Sequence, residues 1–179
     1  MITPPLRLPA RTTKPRPDGL TMVIDNGLPR GLFADYLESA AELVDYVKFG
    51  WGTPLVTRQL PDKVATLRGL GIPFFFGGTL FEKFLSQGAF DDFRAFCHEQ
   101  GCSCVEISNG TVDLPNDEKA RYVEKLTNEF MVFSEVGLKD STRSEAQTAE
   151  EWLTYIRQDL EAGAAYVVAE ARESGRSGI

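Results

Sequence analysis

The chain has 179 residues, of which 42% are hydrophobic and 25% are charged, so it can bury a substantial core as one globular domain. Its formal net charge of -7 argues against general nucleic-acid binding, which needs a basic surface, but permits a small anionic ligand in a local basic pocket. No apolar stretch is long enough to span a membrane, so no membrane partner is expected.

The first 19 residues form a basic, proline-rich segment, for which we predict an extended arm followed by a single domain over 20–179. This segment lacks the apolar middle of a secretory signal. Its basic residues, among them Lys14 and Arg16, are expected to decorate the arm or to reach the polar face described below.

Six strands are predicted from short runs rich in β-branched and aromatic residues. They are Thr21–Asp25, Tyr46–Phe49, Pro73–Phe76, Ser103–Ile107, Met131–Val136 and Ala165–Ala169. The runs are apolar throughout rather than alternating, which is typical of a parallel sheet that is covered on both faces.

The segments between these strands carry apolar residues at three-to-four spacing, which predicts helices. The predicted helices are Phe33–Leu43, Pro54–Leu70, Leu80–Gln100, Asp117–Asn128 and Ser144–Ala162. We expect Gly88 to break the third, Thr53 to cap the second, and Thr148 with Glu151 to form a capping box. Glycines expected to close helices before strands are Gly71, Gly101 and Gly163.

The alternation of strand and helix predicts an α/β fold of the parallel (β/α)8 TIM-barrel type. Strands recur every 24–35 residues or so, and eight units need roughly 250 residues, so the chain is expected to hold only the first six. A doubly wound sheet tolerates six strands, but no GxGxxG motif follows the first strand as a dinucleotide-binding fold would require.

Polar residues end several of the predicted strands. Lys48, Glu106, Glu135 and Glu170 lie within or at the end of a strand, and Lys139 follows the fifth. Because the carboxyl ends of barrel strands open on one face, these groups are expected to converge in one polar site.

The cysteines Cys97, Cys102 and Cys104 lie close together beside the only histidine, His98. A zinc site is one interpretation, but small buried thiols in a reducing, cytoplasmic compartment explain the pattern better. His98 is expected at an exposed helix end, where nothing nearby supports nucleophilic catalysis.

Six segments, in order along the chain, resemble the phosphosulfolactate synthase family. They are KPRPDGLTMVIDNGL (Lys14–Leu28), VKFGWGT (Val47–Thr53), GGTLFE (Gly77–Glu82), VEISNGT (Val105–Thr111), SEVGLKD (Ser134–Asp140) and DLEAGAAYVVAEARESGRSGI (Asp159–Ile179). The resemblance implies a barrel lyase of coenzyme M or sulfolactate biosynthesis. Such enzymes add sulfite to phosphoenolpyruvate, with magnesium, to give (2R)-phospho-3-sulfolactate. In the fourth segment the family's usual motif, ISDG, has aspartate where this chain has Asn109.

This reaction passes through a carbanion next to a carboxylate, so it needs a cation at that carboxylate and an acid to protonate carbon 2. Glu106, Glu135 and Glu170 are the candidate Mg²⁺ ligands, with salt bridges to strand-end lysine or arginine as the alternative. The resemblance implies that Lys139 is the proton donor. Phosphate binding by Lys139, or an exposed loop position, are the competing interpretations.

Both substrates are anionic, so an acidic protein needs a local basic pocket for them. We predict that Lys48 and Arg172 contribute to it, together with the glycine-rich turn that follows Arg172. The residues of that turn are Ser174, Gly175 and Arg176.

Two further functions stay open. A plant heat-stress-associated group resembles the same family without acting as a synthase, and another enolate-forming barrel lyase would use the same metal and lysine. Six strands leave the first and sixth as unpaired edges, so a homo-oligomer or a poorly soluble protein is expected. The absent seventh and eighth loops often hold phosphate in barrels, which leaves the activity of these 179 residues alone an open question.

Overall fold

The computed structural model describes residues 6–7, 10–137 and 147–170. In these ranges, strands and helices alternate: β1 (Met22–Asp25), α1 (Arg30–Ala40), β2 (Tyr46–Phe49), α2 (Leu60–Gly69), β3 (Phe74–Phe76), α3 (Gly78–Leu85), α4 (Phe90–Glu99), β4 (Cys104–Ile107), α5 (Asn116–Leu126), β5 (Met131–Val136), α6 (Ala149–Glu161) and β6 (Tyr166–Ala169). Two short 3-10 helices cover Ala41–Leu43 and Thr53–Leu55. None of the described helices is both long and apolar enough to cross a membrane.

The strands form two parallel sheets, in the orders β1-β2-β3 and β4-β5-β6. In the first sheet, Val47 lies opposite Val23 on one side and Phe74 on the other, without an offset between strands. The sheets adjoin where β3 contacts β4. Six consecutive strands and the helices between them are thus arranged as in a TIM-type barrel, and the predicted fold class is confirmed.

Each sheet has two faces because successive strand residues point in opposite directions. Phe74 and Phe76 belong to the large cluster that packs against the helices, whereas Phe75 belongs to a small cluster on the inner face. There the rings of Phe75 and Phe133 stack at 4.8 Å, and Phe133 stacks on Tyr166 at 5.1 Å. These rings join both sheets, so the two sheets curve around one common interior.

The six predicted strands agree with the structure to within one residue at their starts. The predicted break at Gly88 is also confirmed, since this residue has a φ of +69° and separates α3 from α4. The glycines that end helices adopt left-handed conformations as expected. Their φ values are +64° at Gly71, +70° at Gly101 and +101° at Gly163.

The continuous helix predicted over Pro54–Leu70 is wrong, as is its cap at Thr53. The segment splits into a 3-10 turn and α2, and the Thr53 hydroxyl donates to the Gly50 carbonyl. Pro61 explains the split, because proline has no N–H and suits only the first turn of a helix.

The capping box at the start of α6 is confirmed. Thr148 Oγ1 accepts a hydrogen bond from Glu151 N at 3.2 Å, and Thr148 N donates to Glu151 Oε2 at 2.8 Å. The helix therefore begins at Ala149. Its predicted start at Ser144 lies outside the described residues.

Arg16 fastens the amino-terminal arm to the amino end of the sheet. Its side chain is buried, pairs with Asp45 immediately before β2, and donates to the carbonyls of Thr12 (2.8 Å) and Glu42 (2.5 Å). Arg16 therefore lies at the end of the molecule opposite the carboxyl ends of the strands.

Candidate active site

Three charged side chains meet on the inner face of the barrel. Lys48 Nζ lies 2.6 Å from Glu106 Oε2 and 3.1 Å from Glu135 Oε2. These residues come from β2, β4 and β5, near the carboxyl end of each strand. The structure thus brings together three of the residues predicted from the strand ends.

The cluster is asymmetric in charge, with two carboxylates around one ammonium. Burial opposes the charge on Lys48, but attraction to Glu106 and Glu135 and hydrogen bonds to both outweigh it, so the pKa of Lys48 is raised. Burial and the neighbouring Glu135 carboxylate raise the pKa of Glu106 against the opposing effects of Lys48 and the Gly78 amide. Lys48 is therefore held as an ammonium ion.

A pocket of about 250 Å³ opens above this cluster, at the carboxyl ends of the strands. Lys48, Glu135 and Glu170 contribute its charged groups, while Glu106 is fully buried and does not line it. The other walls include Ile24, Asn26, Gly50, Trp51, Gly77 and Thr79. The charged groups that line the pocket in the described residues are therefore one ammonium and two carboxylates.

Two glycines at the junction of β3 and α3, Gly77 and the first helical residue Gly78, allow close approach to the cluster. Gly78 N donates to Glu106 Oε2 at 2.5 Å. A Cβ at Gly77 would lie 2.9 Å from Lys48 Cε, and one at Gly78 would lie 2.2 Å from Ser108 Oγ. The GGTLFE segment therefore needs glycine here for space.

Glu82 of α3 fixes the loop that follows β4. Its buried carboxylate accepts hydrogen bonds from the amides of Gly110 (3.0 Å) and Thr111 (2.8 Å) and from the hydroxyls of Ser108 and Thr111. In the same loop, the Asn109 side-chain amide donates to the Leu114 carbonyl at 2.8 Å. An aspartate carboxylate has no proton to donate, so an aspartate at position 109 could not make this hydrogen bond to the Leu114 carbonyl.

Two buried lysine–aspartate pairs, which sequence reasoning missed, lie on the outer face of the sheets. Lys63 Nζ is 2.5 Å from Asp25 Oδ2, and Lys119 Nζ is 2.7 Å from Asp159 Oδ2. Asp25 also accepts the amides of Gly27 and Leu28 in the loop after β1. The sequence signal that could have revealed them is a lysine at a core-facing position of a helix, as at Lys63 and Lys119.

Five of the predicted site residues lie outside the described residues. They are Lys139, Arg172, Ser174, Gly175 and Arg176. The prediction of buried thiols is confirmed for all three cysteines. His98 is half exposed and hydrogen-bonds Glu129 at 2.8 Å. Within the described ranges, no group of three or more His, Cys, Asp or Glu side chains is arranged to hold a metal ion.

Comparison with known proteins identifies the family. The model of the (2R)-phospho-3-sulfolactate synthase (ComA) family matches residues 9–179. The chain belongs to this family. The phosphosulfolactate synthase of Bacillus subtilis (strain 168) is 51% identical over 97% of this chain and 69% of its own length. That of Methanocaldococcus jannaschii is 40% identical over 88% of this chain and 64% of its own length. The chain thus spans 64% to 69% of these family members.

Among solved structures, the carboxyl transferase domain of Rhizobium etli pyruvate carboxylase, with pyruvate and biocytin, matches with a TM-score of 0.58. The match covers 89% of this chain and 29% of that one at 9% sequence identity. A likeness at this identity concerns the fold alone.

Proposed function

We propose that the chain acts as a phosphosulfolactate synthase, adding sulfite to phosphoenolpyruvate to form (2R)-phospho-3-sulfolactate. The observation that carries this proposal is the Lys48 ammonium, held by Glu106 and Glu135 at the base of the pocket. Both substrates are anions, and a fixed cation at the carboxyl ends of barrel strands is suited to bind them. The choice of this particular reaction rests on the chain's membership of the phosphosulfolactate synthase family.

In this reaction the sulfur lone pair of sulfite forms a bond to the methylene carbon of phosphoenolpyruvate. The electron pair of the carbon–carbon double bond moves toward carbon 2 and its carboxylate, and a proton then adds to carbon 2. Positive groups that face the developing charge lower the barrier, because they stabilise the intermediate more than the substrate.

Lys48 and Lys139 have different proposed roles. The pKa of Lys48 is raised, so this residue keeps its proton and acts as an electrostatic anchor. The proton donor is then Lys139, as the family motif SEVGLKD implies. Arg172 and the turn of Ser174, Gly175 and Arg176 are proposed to bind phosphate or sulfite.

Magnesium is the proposed cofactor, with Glu135 and Glu170 as its proposed ligands. Glu135 and Glu170 offer hard carboxylate oxygens to the pocket, and Mg²⁺ is commonly bound by one or two carboxylates together with substrate and water. When bound, the ion would supply positive charge to the substrate carboxylate. We assign Glu106 as the counter-ion of Lys48, since its oxygens already face Lys48 Nζ and Gly78 N.

The test is whether the purified chain converts phosphoenolpyruvate. Phosphorus NMR monitors the conversion, and mass spectrometry identifies the sulfonated product. Product should require both sulfite and Mg²⁺, and Lys139→Met should abolish it while circular dichroism stays unchanged. The exposed Lys83→Met is the matched control and should keep full activity. A folded chain without sulfite-dependent turnover would contradict the proposal and favour a non-catalytic relative.

A further inference from the structure

The Lys119–Asp159 pair connects α5 and α6 beneath the end of β5. Both side chains are fully buried, and Lys119 Nζ lies 2.7 Å from Asp159 Oδ2. Asn116, also on α5, donates to Asp159 Oδ1 at 3.3 Å. The pair is therefore a closed polar unit inside the apolar layer between helices and sheet.

This unit holds two successive residues of β5 from outside the barrel. Lys119 Nζ donates to the Glu135 carbonyl at 2.9 Å, and the Ser134 hydroxyl donates to Asp159 Oδ2 at 2.7 Å. Because neighbouring strand residues face opposite sides, anchoring Ser134 outward directs the Glu135 carboxylate inward. That carboxylate lies 3.1 Å from Lys48 Nζ in the pocket.

We propose that Lys119 and Asp159 are positioning residues that set the Glu135 carboxylate against Lys48 and so fix the ammonium for anion binding. The proposal rests on the proposed function and adds residues of the outer face to the site. It assigns no contact with substrate to Lys119 or Asp159.

Stability alone is a weak reason for such a pair. Removing two charges from water is costly, and apolar residues of similar size often replace a buried ion pair without loss of stability. What apolar residues cannot supply is the pair of hydrogen bonds to Ser134 and Glu135.

The molecule contains a matched control at its other end. Arg16 and Asp45 are also buried and paired, but they lie at the amino end of the sheet, away from the pocket. Replacing each pair by apolar residues, as Lys119→Met with Asp159→Leu and as Arg16→Met with Asp45→Leu, separates the effect of position from that of losing an ion pair.

The first measurement follows activity. With the full chain, the Lys119→Met/Asp159→Leu variant should lose at least tenfold in kcat/KM for phosphoenolpyruvate. The Arg16→Met/Asp45→Leu variant should stay within twofold of the parent. An equal effect of both double variants on kcat/KM would overturn the proposal.

The second measurement does not depend on the reaction. Acetylation at one fixed pH, read by mass spectrometry, reports how accessible Lys48 Nζ is to the reagent. Glu135 Oε2 lies 3.1 Å from Lys48 Nζ and shields it, so displacement of Glu135 should speed the labelling of Lys48 severalfold. Unchanged labelling in a folded Lys119→Met/Asp159→Leu variant would refute the positioning role, even if the chain shows no synthase activity.

A milder variant guards against failure of the double variant to fold. Ser134→Ala keeps the ion pair and removes one tether to β5. It should speed the labelling of Lys48 at least twofold. The exposed Ser39→Ala on α1 serves as its control. If Ser134→Ala and Ser39→Ala label alike, the tether does not position Glu135 and the inference fails.

Discussion

Lys48 is the cation of the inner cluster, where two carboxylates hold it while its side chain stays partly exposed to the pocket. Its side chain is 13% exposed, whereas that of Glu106 is fully buried. The ammonium is thus fixed from below and accessible from above. This arrangement needs no movement of the side chain when a ligand binds.

Lys48→Met should abolish anion binding and destabilise the fold by about 3 kcal/mol, because it leaves Glu106 and Glu135 buried without their cation. The loss should shrink as the pH falls, since burial raises the pKa of Glu106 and its protonation removes the unpaired buried charge. Urea unfolding at several pH values checks this, with the exposed Lys83→Met as control. A pH-independent loss would contradict the assigned ion pairs.

The raised pKa of Tyr46 predicts that the folded chain loses stability at alkaline pH. Burial, followed by the influence of Tyr166, raises the pKa of Tyr46 to about 12. An unfolded tyrosine ionises near pH 10, so between about pH 10 and 12 the folded chain binds more protons and stability falls as pH rises. Tyr46→Phe should remove this part of the decline, as measured by unfolding and ultraviolet titration. The exposed Tyr36→Phe is the hydroxyl-loss control, and an unchanged decline in Tyr46→Phe would contradict the prediction.

The residues of the inner cluster were predictable, since a charged side chain in an otherwise apolar strand has to meet an opposite charge or a ligand. A salt bridge from a glutamate to a strand-end lysine was one of the predicted alternatives. The choice between that salt bridge and a metal site could not be made from sequence, because the distance from Glu106 to Lys48 depends on how two separate strands are placed. Lys63 and Lys119 were missed for a related reason. A single lysine at a core-facing helical position interrupts the apolar pattern without indicating a buried partner.

At the scale of elements, strands were predicted more closely than helices. Apolar runs such as Met131–Val136 fix strand positions through burial on both faces. The segment over Pro54–Leu70 shows where the helix prediction fails. Its apolar spacing fits a continuous helix, but Pro61 forbids an interior position and sets the start of α2.

The junction of β3 and α3 gives a test at this scale. Gly78→Ala would place its Cβ 2.2 Å from Ser108 Oγ and should cost about 1–3 kcal/mol, with a loss of activity. Gly69→Ala in α2 meets no atom within 4 Å and should be neutral or stabilise by up to about 1 kcal/mol. Thermal unfolding compares the two. Similar stabilities would show that the junction has more room than the structure indicates.

For the whole molecule, the described strands β1 and β6 each pair on one side, with β2 and β5 respectively. Unpaired strand edges promote association, so we expect the chain to self-associate as its concentration rises. Sedimentation velocity over a dilution series measures this. Ile24→Lys on β1 should weaken association, whereas the exposed Leu153→Glu on α6 should not. A single monomeric species at every concentration would rule the expectation out.

Neighbouring residues of β5 are held from different layers of the molecule. Ser134 and Glu135 are neighbours in the chain, yet one is secured by α6 and the other faces Lys48. A substitution at Asp159 should therefore reach the pocket through the backbone of β5. A search for residues that alter ligand preference then has to include the helices as well as the strand ends.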